Sequence, residues 1–385
     1  MTDSLAKVRQ YLHQHPELSG SEENTAKFVE KYIRDNSSPD AIYTGIGGHG
    51  LVAVFQSKVP GKSILFRAEL DALPIQEINT FDHASCTRGV SHKCGHDGHA
   101  ATLLGLALHL HHHKPTSGKI FLLFQPAEET GRGAEAMIAD PRFQSMVQPD
   151  LVYAFHNIPG HPLGNVIVRK GAFTASVRSM AIRLHGKTSH AAEPEHGINP
   201  AICIAQLIMA LNAMSNNDLS RDDFRVITLV CINMGEVAYG VSAGYGEVHL
   251  TIRTWTETEM TRLEDDINNL VAEQSAASKL TFDVSYTDVF RANESTDSAV
   301  DSVQSAAIAN NLVLETLKYP MKWGEDFGLF TQRFSGCFFG IGSGVDRPAL
   351  HNPDYDYPDE ILAVGLQVFV GVLKNLRVLE DEEGV

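Results

Sequence analysis

Short apolar runs that alternate with helical segments are the feature that most restricts how this sequence can fold. Five runs are strand-like: LVAVFQ at 51–56, SILFRAEL at 63–70, KIFLLFQ at 119–125, LVYAFH at 151–156 and GCFFGIG at 336–342. Several are apolar almost throughout, which is typical of strands buried on both faces of a mostly parallel sheet. Helical patterns separate the runs, so the alternation predicts an α/β fold in which helices flank that sheet.

The middle of the chain follows a different pattern. Between 176 and 290 the predicted order is strand, helix, two strands, helix, strand, which is typical of an α+β module. A chain of 385 residues is long enough for two hydrophobic cores. We therefore expect a first domain formed by 1–175 and 291–385, with 176–290 inserted into it.

Charge and composition exclude several classes of partner. The chain has 31 Lys and Arg against 47 Asp and Glu, a formal net charge of −16. This balance repels phosphate backbones and anionic membranes, so we expect no nucleic-acid and no membrane partner. The five cysteines are odd in number and scattered, which argues against a disulfide framework, and the first residues lack a signal-peptide pattern. We expect a cytoplasmic protein.

The segment SHKCGHDGHA at 91–100 holds the densest cluster of potential metal ligands. Cys94 and His96 are separated by one residue, so a thiolate and an imidazole can reach a common metal ion there. His99 lies one helical turn further on. Local turn chemistry around a buried cysteine explains the same residues as well, so the segment alone leaves both interpretations open.

Other ligand-type residues follow the predicted strands. Glu128 and Glu129 follow one apolar run, His156 ends another, and His351 lies shortly after the last. Sites in parallel α/β sheets form beyond the carboxyl ends of the strands, so we expect these side chains to gather at one edge. Adjacent carboxylates there are costly to ionise together unless a cation neutralises them or one keeps its proton. A solvated helix N-terminus is the alternative for Glu128 and Glu129.

Seven motifs then occur along nearly the whole chain: HQHPELS, RAELDALP, CGHDGH, FQPAEETGRGAEAMI, GKTSHAAEP, WGEDFG and LHNPDYDYPDE. In order and spacing they resemble the metal-dependent amidohydrolases that include hippurate hydrolase, indole-3-acetyl-amino-acid hydrolase and N-acetyldiaminopimelate deacetylase. The resemblance implies a catalytic domain like that of zinc exopeptidases. It also implies that the segment 176–290 is a lid or dimerisation domain, and that the protein is a homodimer through it.

The resemblance also implies a set of site residues. The ligands of a two-metal centre match Cys94, His96, Glu129, His156 and His351. Cys94 is the expected shared ligand, and the two divalent ions are zinc, manganese, cobalt or nickel. Glu128 matches a general base that takes the proton from a metal-bound water, and Asp71 matches a residue that orients the centre. His190 matches a histidine that reaches the substrate when a lid closes.

Two segments depart from the pattern of the relatives, one at Gly240 and Ala243 and the other at Glu69. GEVAYGVSAG precedes Arg253 where relatives usually read GGTAxNVIPD, so Gly240 replaces an asparagine that commonly helps to hold the substrate's carboxylate. Gly240 and Arg253 are thus the implied substrate-contact positions, and Gly240 lacks the amide donor. Glu69 stands where relatives commonly have aspartate, which adds a methylene to a side chain near the predicted centre.

Several other residues have simpler interpretations. The four histidines at 109–113 are expected at a solvated helix end, where cationic side chains complement the helix dipole. His13 and His15, beside a proline, are expected to be cap and packing residues. Glu325 and Asp326 are expected to orient His351 or the inserted lid, or to cap a helix.

The predicted function is therefore a dinuclear-metal amidohydrolase that cleaves the amide bond of N-acyl amino acids or related small amides. Within enzymes, the alternative is an aminopeptidase or carboxypeptidase that acts on short peptides. Outside enzymes, the alternative is a metal-binding sensor or scaffold without catalysis. Glu128, together with five residues of ligand type, favours the enzyme.

Overall fold

The structure is a computed structural model that describes residues 2–380. Within this range the chain divides into two compact units. The first unit takes 2–173, 293–318 and 325–380, and the second takes 174–292 and 319–324. The predicted insertion at 176–290 falls inside the second unit, which also takes 319–324, a segment that the sequence assigned to the first domain.

The strands, in chain order, are β1 (Ala41–Ile46), β2 (Gly50–Gln56), β3 (Ser63–Glu69), β4 (Lys119–Gln125), β5 (Leu151–Pro159), β6 (Val166–Val168), β7 (Gly171–Thr174), β8 (Ser176–His185), β9 (Ser189–His190), β10 (Arg225–Met234), β11 (Val241–Ser242), β12 (Tyr245–Thr254), β13 (Thr281–Phe290), β14 (Asn293–Ser295), β15 (Leu314–Thr316) and β16 (Ser335–Gly344). The helices are α1 (Thr2–Gln14), α2 (Glu23–Asn36), α3 (His96–His112), α4 (Gly133–Ala139), α5 (Pro141–Met146), α6 (Ala201–Met214), α7 (Glu257–Ala277), α8 (Asp297–Ala309), α9 (Gly328–Thr331) and α10 (Ile361–Asn375), with a 3₁₀ turn at Pro194–His196.

The first unit is built on an eight-stranded sheet in the order β1-β2-β4-β3-β5-β16-β6-β15. Its four central strands, β4, β3, β5 and β16, are parallel to one another, whereas β2 and β1 extend one side and β6 the other through antiparallel pairs. Apolar side chains of these strands form one core with helices α1, α3, α8 and α10. The predicted α/β fold with a mostly parallel sheet is confirmed, and all five predicted strands are present.

The parallel strands set the place of the predicted site. Glu69 ends β3, Gln125 ends β4, and His156 lies in the last part of β5, so their carboxyl ends meet at one edge of the sheet. Helix α3 begins at this edge with His96. Gly95, which precedes it, has a φ of 100°, and a Cβ there would lie 2.4 Å from the amide oxygen of Asn157, so only glycine allows this close approach.

The second unit has its own sheet and core. Strands β10, β12, β8 and β13 form an antiparallel sheet in that order, and helices α6 and α7 share a buried apolar cluster with it. The long elements follow the predicted order of strand, helix, two strands, helix, strand. The Thr256 hydroxyl accepts a hydrogen bond from the Glu259 amide and so caps the N-terminus of α7.

Two further expectations concern the surface. The histidine tract lies at the C-terminal end of α3, with residues 111–113 exposed, as predicted. Across residues 2–380, every helix is either too short or too polar to cross a bilayer.

Candidate metal centre

The structure brings the predicted ligand residues together at the carboxyl edge of the parallel strands. The residues form three overlapping groups, and within each group the potential ligand atoms lie within 4.8 Å of one another. The groups are Cys94, His96 and His156; Cys94, Glu129 and His351; and His96, Glu128 and Glu129. Cys94 belongs to two of these groups, as a ligand shared by two metal ions would. The assignment of each residue as a ligand stays a prediction.

The distances between the donor atoms are short. The Cys94 sulfur lies 3.4 Å from Nε2 of His156, and Nε2 of His351 lies 3.7 Å from an oxygen of Glu129. Nε2 of His96 lies 3.8 Å from the Glu128 carboxylate and 4.0 Å from that of Glu129. Six side chains from four separate parts of the chain therefore face the same small space.

Two imidazole rings are oriented as metal ligands are. Nδ1 of His96 lies 2.9 Å from the carbonyl oxygen of Asp71, and Nδ1 of His156 lies 2.8 Å from that of Asn157. A carbonyl can only accept, so each Nδ1 donates, and in the neutral ring Nε2 keeps a lone pair. Nε2 of His96 is buried and has no hydrogen-bond partner among the described residues, and the same holds for one oxygen of Glu129.

The pKa values of these groups are shifted because several buried carboxylates lie close together. Burial, reinforced by the nearby carboxylates, raises the pKa of the Cys94 thiol and of the Glu128 carboxyl well above their ordinary values, and burial raises the pKa of Glu129 to about 7. Burial alone lowers the pKa of His96, but Glu69 and Asp71 outweigh it and raise that pKa to about 10. Thiolate, imidazole and carboxylate donors with this excess of negative charge fit divalent cations, which would replace the protons.

The turn that carries Glu128 and Glu129 is fixed by a residue that the sequence did not single out. Ala127 has a φ of 53°, a left-handed conformation that is uncommon outside glycine and that persists where the surroundings fix it. Its amide donates to the Glu22 carboxylate at 2.8 Å, and Glu22 is fully buried. Glu22 therefore holds the direction in which the two carboxylates leave β4.

Asp71 has the contacts expected of an orienting residue. Its carbonyl holds His96, and one carboxylate oxygen accepts from the Glu129 amide at 2.9 Å and from the Ser19 hydroxyl at 2.7 Å. It therefore links the segments of two predicted ligands. Its role as an orienting residue stays a prediction.

Arg67 is the main site residue that sequence reasoning missed. Its guanidinium is fully buried and contacts the carboxylates of Glu69, Glu325 and Asp326. Glu325 and Asp326 were expected to orient His351 or the inserted lid, or to cap a helix. Asp326 accepts from the Ala134 amide in the first turn of α4 at 2.9 Å, and both carboxylates also contact Arg67. The Asp326 amide donates to Glu128 at 3.3 Å. One signal was available, because an arginine inside the apolar run SILFRAEL must find buried partners.

Glu69 uses its full length to connect two groups. One oxygen accepts from Arg67, and the other lies 2.7 Å from Nδ1 of His99. Nε2 of His99 lies 2.6 Å from the side-chain oxygen of Asn157. Both ring nitrogens of His99 are thus engaged by the protein, so this histidine supports the centre rather than offering a free donor atom.

A second buried cluster of charges adjoins the segment of Cys94 and His96. His13 is fully buried, with Nδ1 2.8 Å from Asp97 and Nε2 3.1 Å from Glu77. Carboxylates only accept, so both nitrogens donate and the ring is an imidazolium. His13 was expected to be a cap or packing residue; its ring packs against Phe81 and His83, and its charge is held by two carboxylates in addition. Burial lowers the pKa of His13, but the bonds to Asp97 and Glu77 outweigh it and raise that pKa to about 9.

The remaining predicted residues lie in the second unit. His190 in β9 is paired with Val241 of β11, and the amide of Ala191 donates to the carbonyl of Gly240 at 3.0 Å. Nδ1 of His190 accepts from the Ala192 amide at 3.0 Å, which places the proton of the neutral ring on Nε2. Arg253 donates to the carbonyl of Lys322 at 2.7 Å. The substrate roles of His190, Gly240 and Arg253 stay predictions.

Residues 65–375 match the family described as Peptidase family M20/M25/M40. The chain belongs to this M20/M25/M40 family. It is 32% identical over 356 residues to the N-acetyl-L-cysteine deacetylase of Bacillus subtilis, covering 91% of this chain and 83% of the relative. It is 29% identical over 359 residues to the hippurate hydrolase of Campylobacter jejuni, covering 93% and 92%.

Solved structures of the M20/M25/M40 type share the fold. A Bacillus subtilis structure, the YXEP protein, is described as a dinuclear metal binding peptidase of the M20 family; it superposes with a TM-score of 0.84 at 24% identity, covering 98% of this chain and 99% of that one. The predicted family and fold are confirmed. The predicted enzyme class is also confirmed, because the M20/M25/M40 relatives are named as hydrolases of amide bonds.

The raised pKa of His13 predicts how stability depends on pH. The pKa rises from 6.5 to about 9 on folding, so the stabilisation is complete below pH 6.5 and is lost as the pH rises through 9. We expect this loss to be on the order of 3 kcal/mol in the free energy of unfolding. The His13→Gln variant should lack this pH-dependent stabilisation.

Urea unfolding of wild type and H13Q at fixed metal concentration from pH 6 to 9.5 measures this difference. H15Q is the matched control, because His15 is exposed at the end of the same helix. H15Q should follow the wild-type curve. An H13Q curve with the same pH dependence as wild type would show that His13 does not carry the charge.

Proposed function

We propose that this chain hydrolyses the amide bond of N-acyl amino acids at the edge of the parallel sheet, with Glu128 as general base. The observation that carries the proposal is the convergence of two groups that share Glu129: His96 and Glu128 in one, Cys94 and His351 in the other. Two divalent ions, zinc, manganese, cobalt or nickel, are the proposed cofactors, held by Cys94, His96, Glu129, His156 and His351. When bound, such ions lower the pKa of water and polarise an amide carbonyl.

The two oxygens of Glu128 have different surroundings. Oε1 accepts from the Asp326 amide, whereas Oε2 points toward Nε2 of His96, 3.8 Å away. We assign Oε2 as the atom that takes the proton from the attacking water and passes it to the leaving nitrogen. Burial and the neighbouring Glu325 raise the pKa of Glu128, which suits a base that must also act as an acid.

The substrate class follows from the relatives taken together. The N-acetyl-L-cysteine deacetylase, the hippurate hydrolase and the N-acetyldiaminopimelate deacetylases are all named for amides of amino acids. In the described part of the chain, Arg253 has a backbone carbonyl as its hydrogen-bond partner and no carboxylate. We therefore propose that Arg253 binds the substrate's carboxylate although Gly240 offers no side chain. His190, with its proton on Nε2, is the proposed donor to the substrate.

A peptidase is the second candidate. The chain is 29% identical to thermostable carboxypeptidase 1 of Saccharolobus solfataricus over 94% of its own length. A dipeptide and an N-acyl amino acid present the same amide and the same carboxylate, so the proposed residues would act on both. The difference lies in the group on the nitrogen side of the substrate, which rates on matched substrates resolve.

Glu128→Gln should retain metal but lower kcat by at least about 10²-fold, because the amide cannot take the proton. Rates would be measured on N-acetyl, N-benzoyl and indole-acetyl amino acids, on dipeptides and on matched amides without the α-carboxylate. The metal content of the same samples would be measured by mass spectrometry. We expect N-acyl amino acids to be the best substrates and amides without the carboxylate to be poor.

Glu273→Gln is the matched control, since Glu273 is exposed on α7 and loses its charge in the same way. It should keep the wild-type rate and metal content. A wild-type rate for E128Q would remove Glu128 as the base. Equal rates on amides with and without the carboxylate would remove Arg253 from the proposal.

We also propose that the chain forms a homodimer through the second unit. Strand β10 is an edge strand, and its unpaired backbone can pair with another strand. Its exposed large apolar side chains are Leu229, Val230, Ile232 and Met234. Helix α6 packs against β10 and adds Ile202 and Met209, which lie on one face because they are seven residues apart. A two-fold contact would cover this surface with an identical one.

Val230→Lys should separate the dimer, because a lysine on an edge strand opposes pairing. Light scattering after gel filtration should give twice the chain mass of 42.1 kDa for wild type and the single mass for V230K. Val59→Lys, at an exposed valine of the first unit, should stay dimeric. A wild-type monomer, or a V230K dimer, would contradict the proposed interface.

The cytoplasm remains the proposed location. All five cysteines are free in the described structure, which suits a reducing compartment. Recovery of the native protein in a secreted fraction would contradict this location.

A further inference from the structure

We propose that Lys93 is a positioning residue that fastens the loop of His351 to the segment of Cys94 and His96. The proposal rests on the ligand set given above for the proposed function. It concerns how two ligand-bearing parts of the chain, more than 250 residues apart in sequence, keep a fixed separation. The observations that carry it are the contacts of Lys93 with both ends of the loop 351–355.

The loop that carries His351 has little structure of its own. It follows β16 and precedes α10, and it contains no helix or strand. His351 has a φ of 66°, and its side chain is 50% exposed. A left-handed conformation at a residue other than glycine persists only where contacts fix it. The position of this ligand therefore depends on what holds the loop.

Lys93 contacts the loop at two points four residues apart. Its carbonyl accepts from the His351 amide at 2.8 Å, and its ammonium donates to the Tyr355 carbonyl at 2.8 Å. The residue that follows Lys93 in the chain is Cys94. Two anchors on one residue fix both the distance and the orientation of the loop relative to the first ligand segment.

The side chain of Lys93 is itself held. It is fully buried, so its charge requires a partner, and it pairs with Glu77. Glu77 in turn contacts His13 at 3.1 Å and accepts from the Ser85 amide at 2.6 Å. The ammonium is thus fixed at its far end by a carboxylate with other partners, and it cannot swing away from the Tyr355 carbonyl without breaking its buried ion pair with Glu77.

This arrangement implies that only one of the two ligand groups that contain Cys94 depends on the loop 351–355. Loosening the loop displaces His351, which belongs to the group with Cys94 and Glu129. It leaves the group of Cys94, His96 and His156 in place. A lysine that only stabilised the fold would affect both groups alike, so selective loss of one metal ion separates a positioning role from a structural one.

The test is Lys93→Met, which keeps the apolar stem and removes the donor. Wild type and K93M would be loaded with zinc and titrated with a chelator, and the zinc per chain would be counted at each step. We expect one of the two ions to bind roughly 10- to 100-fold more weakly in K93M, and the other to keep its wild-type affinity. Amide hydrogen exchange should become faster across 351–355 and stay unchanged in α3.

Two controls define the comparison. Lys58→Met removes a charge from an exposed lysine and should leave both affinities unchanged. Val29→Ala makes a cavity at a fully buried valine in the core of the first unit. It therefore lowers stability without changing a contact of the loop 351–355, and it should also leave both zinc affinities unchanged. If K93M does not fold, E77Q/K93M removes both charges together and carries the same expectation.

The proposal is overturned if K93M keeps both zinc affinities, or if it weakens both by the same factor as V29A. Failure of the proposed function would look different, because wild type itself would then bind no stoichiometric zinc or show no hydrolysis. A selective loss of one ion in K93M with unchanged exchange at 351–355 would also overturn it, because the loop would then not be the cause.

Discussion

The burial of several carboxylates at one edge of a parallel sheet is the constraint on which the rest of this structure depends. Glu69, Glu128, Glu325 and Asp326 are all buried, and Arg67 is the guanidinium between them. Ions of like charge cannot share a low-dielectric space unless cations or protons neutralise them. One arginine cannot balance four carboxylates, so the edge fits further positive charge, which divalent cations would supply.

Around this charge the chain places residues whose function is to hold other residues. Asp71 orients His96, Glu22 fixes the turn before Glu128, and Asn157 holds the carbonyl of Cys94. These contacts are hydrogen bonds between buried groups with few alternative partners. Because donor atoms must be placed within a few tenths of an ångström to bind a metal well, such supports decide how well the centre works.

The sequence predicts the ligand residues and the sheet better than it predicts these supports. Glu129 and His156 could be expected at one place because the carboxyl ends of parallel strands meet at one edge of a sheet. Cys94 was singled out by its spacing from His96 in the segment 91–100. Arg67 and Asp326 are 259 positions apart, and no local pattern states that they pair. A charge in an otherwise apolar run signals that a buried partner exists, but the fold decides which one.

Two further sets of contacts could not be predicted for the same reason. His13 was expected to be a cap or packing residue, and its two charged partners come from other segments of the chain. Glu325 was expected to orient His351 or the inserted lid, or to cap a helix, and its ion pair with Arg67 was not expected, since spacing in the sequence does not show how the chain returns after the second unit. Sequence patterns report local geometry, whereas ion pairs between distant segments appear only in three dimensions.

The central claim is that this edge binds two divalent ions. Anomalous diffraction from a crystal of the metal-loaded protein, recorded at the absorption edge of the bound metal, tests it most directly. The account predicts two peaks per chain, one beside Cys94, His96 and His156 and one beside Cys94, Glu129 and His351. A single peak, or peaks away from Cys94, in fully loaded crystals would contradict the account.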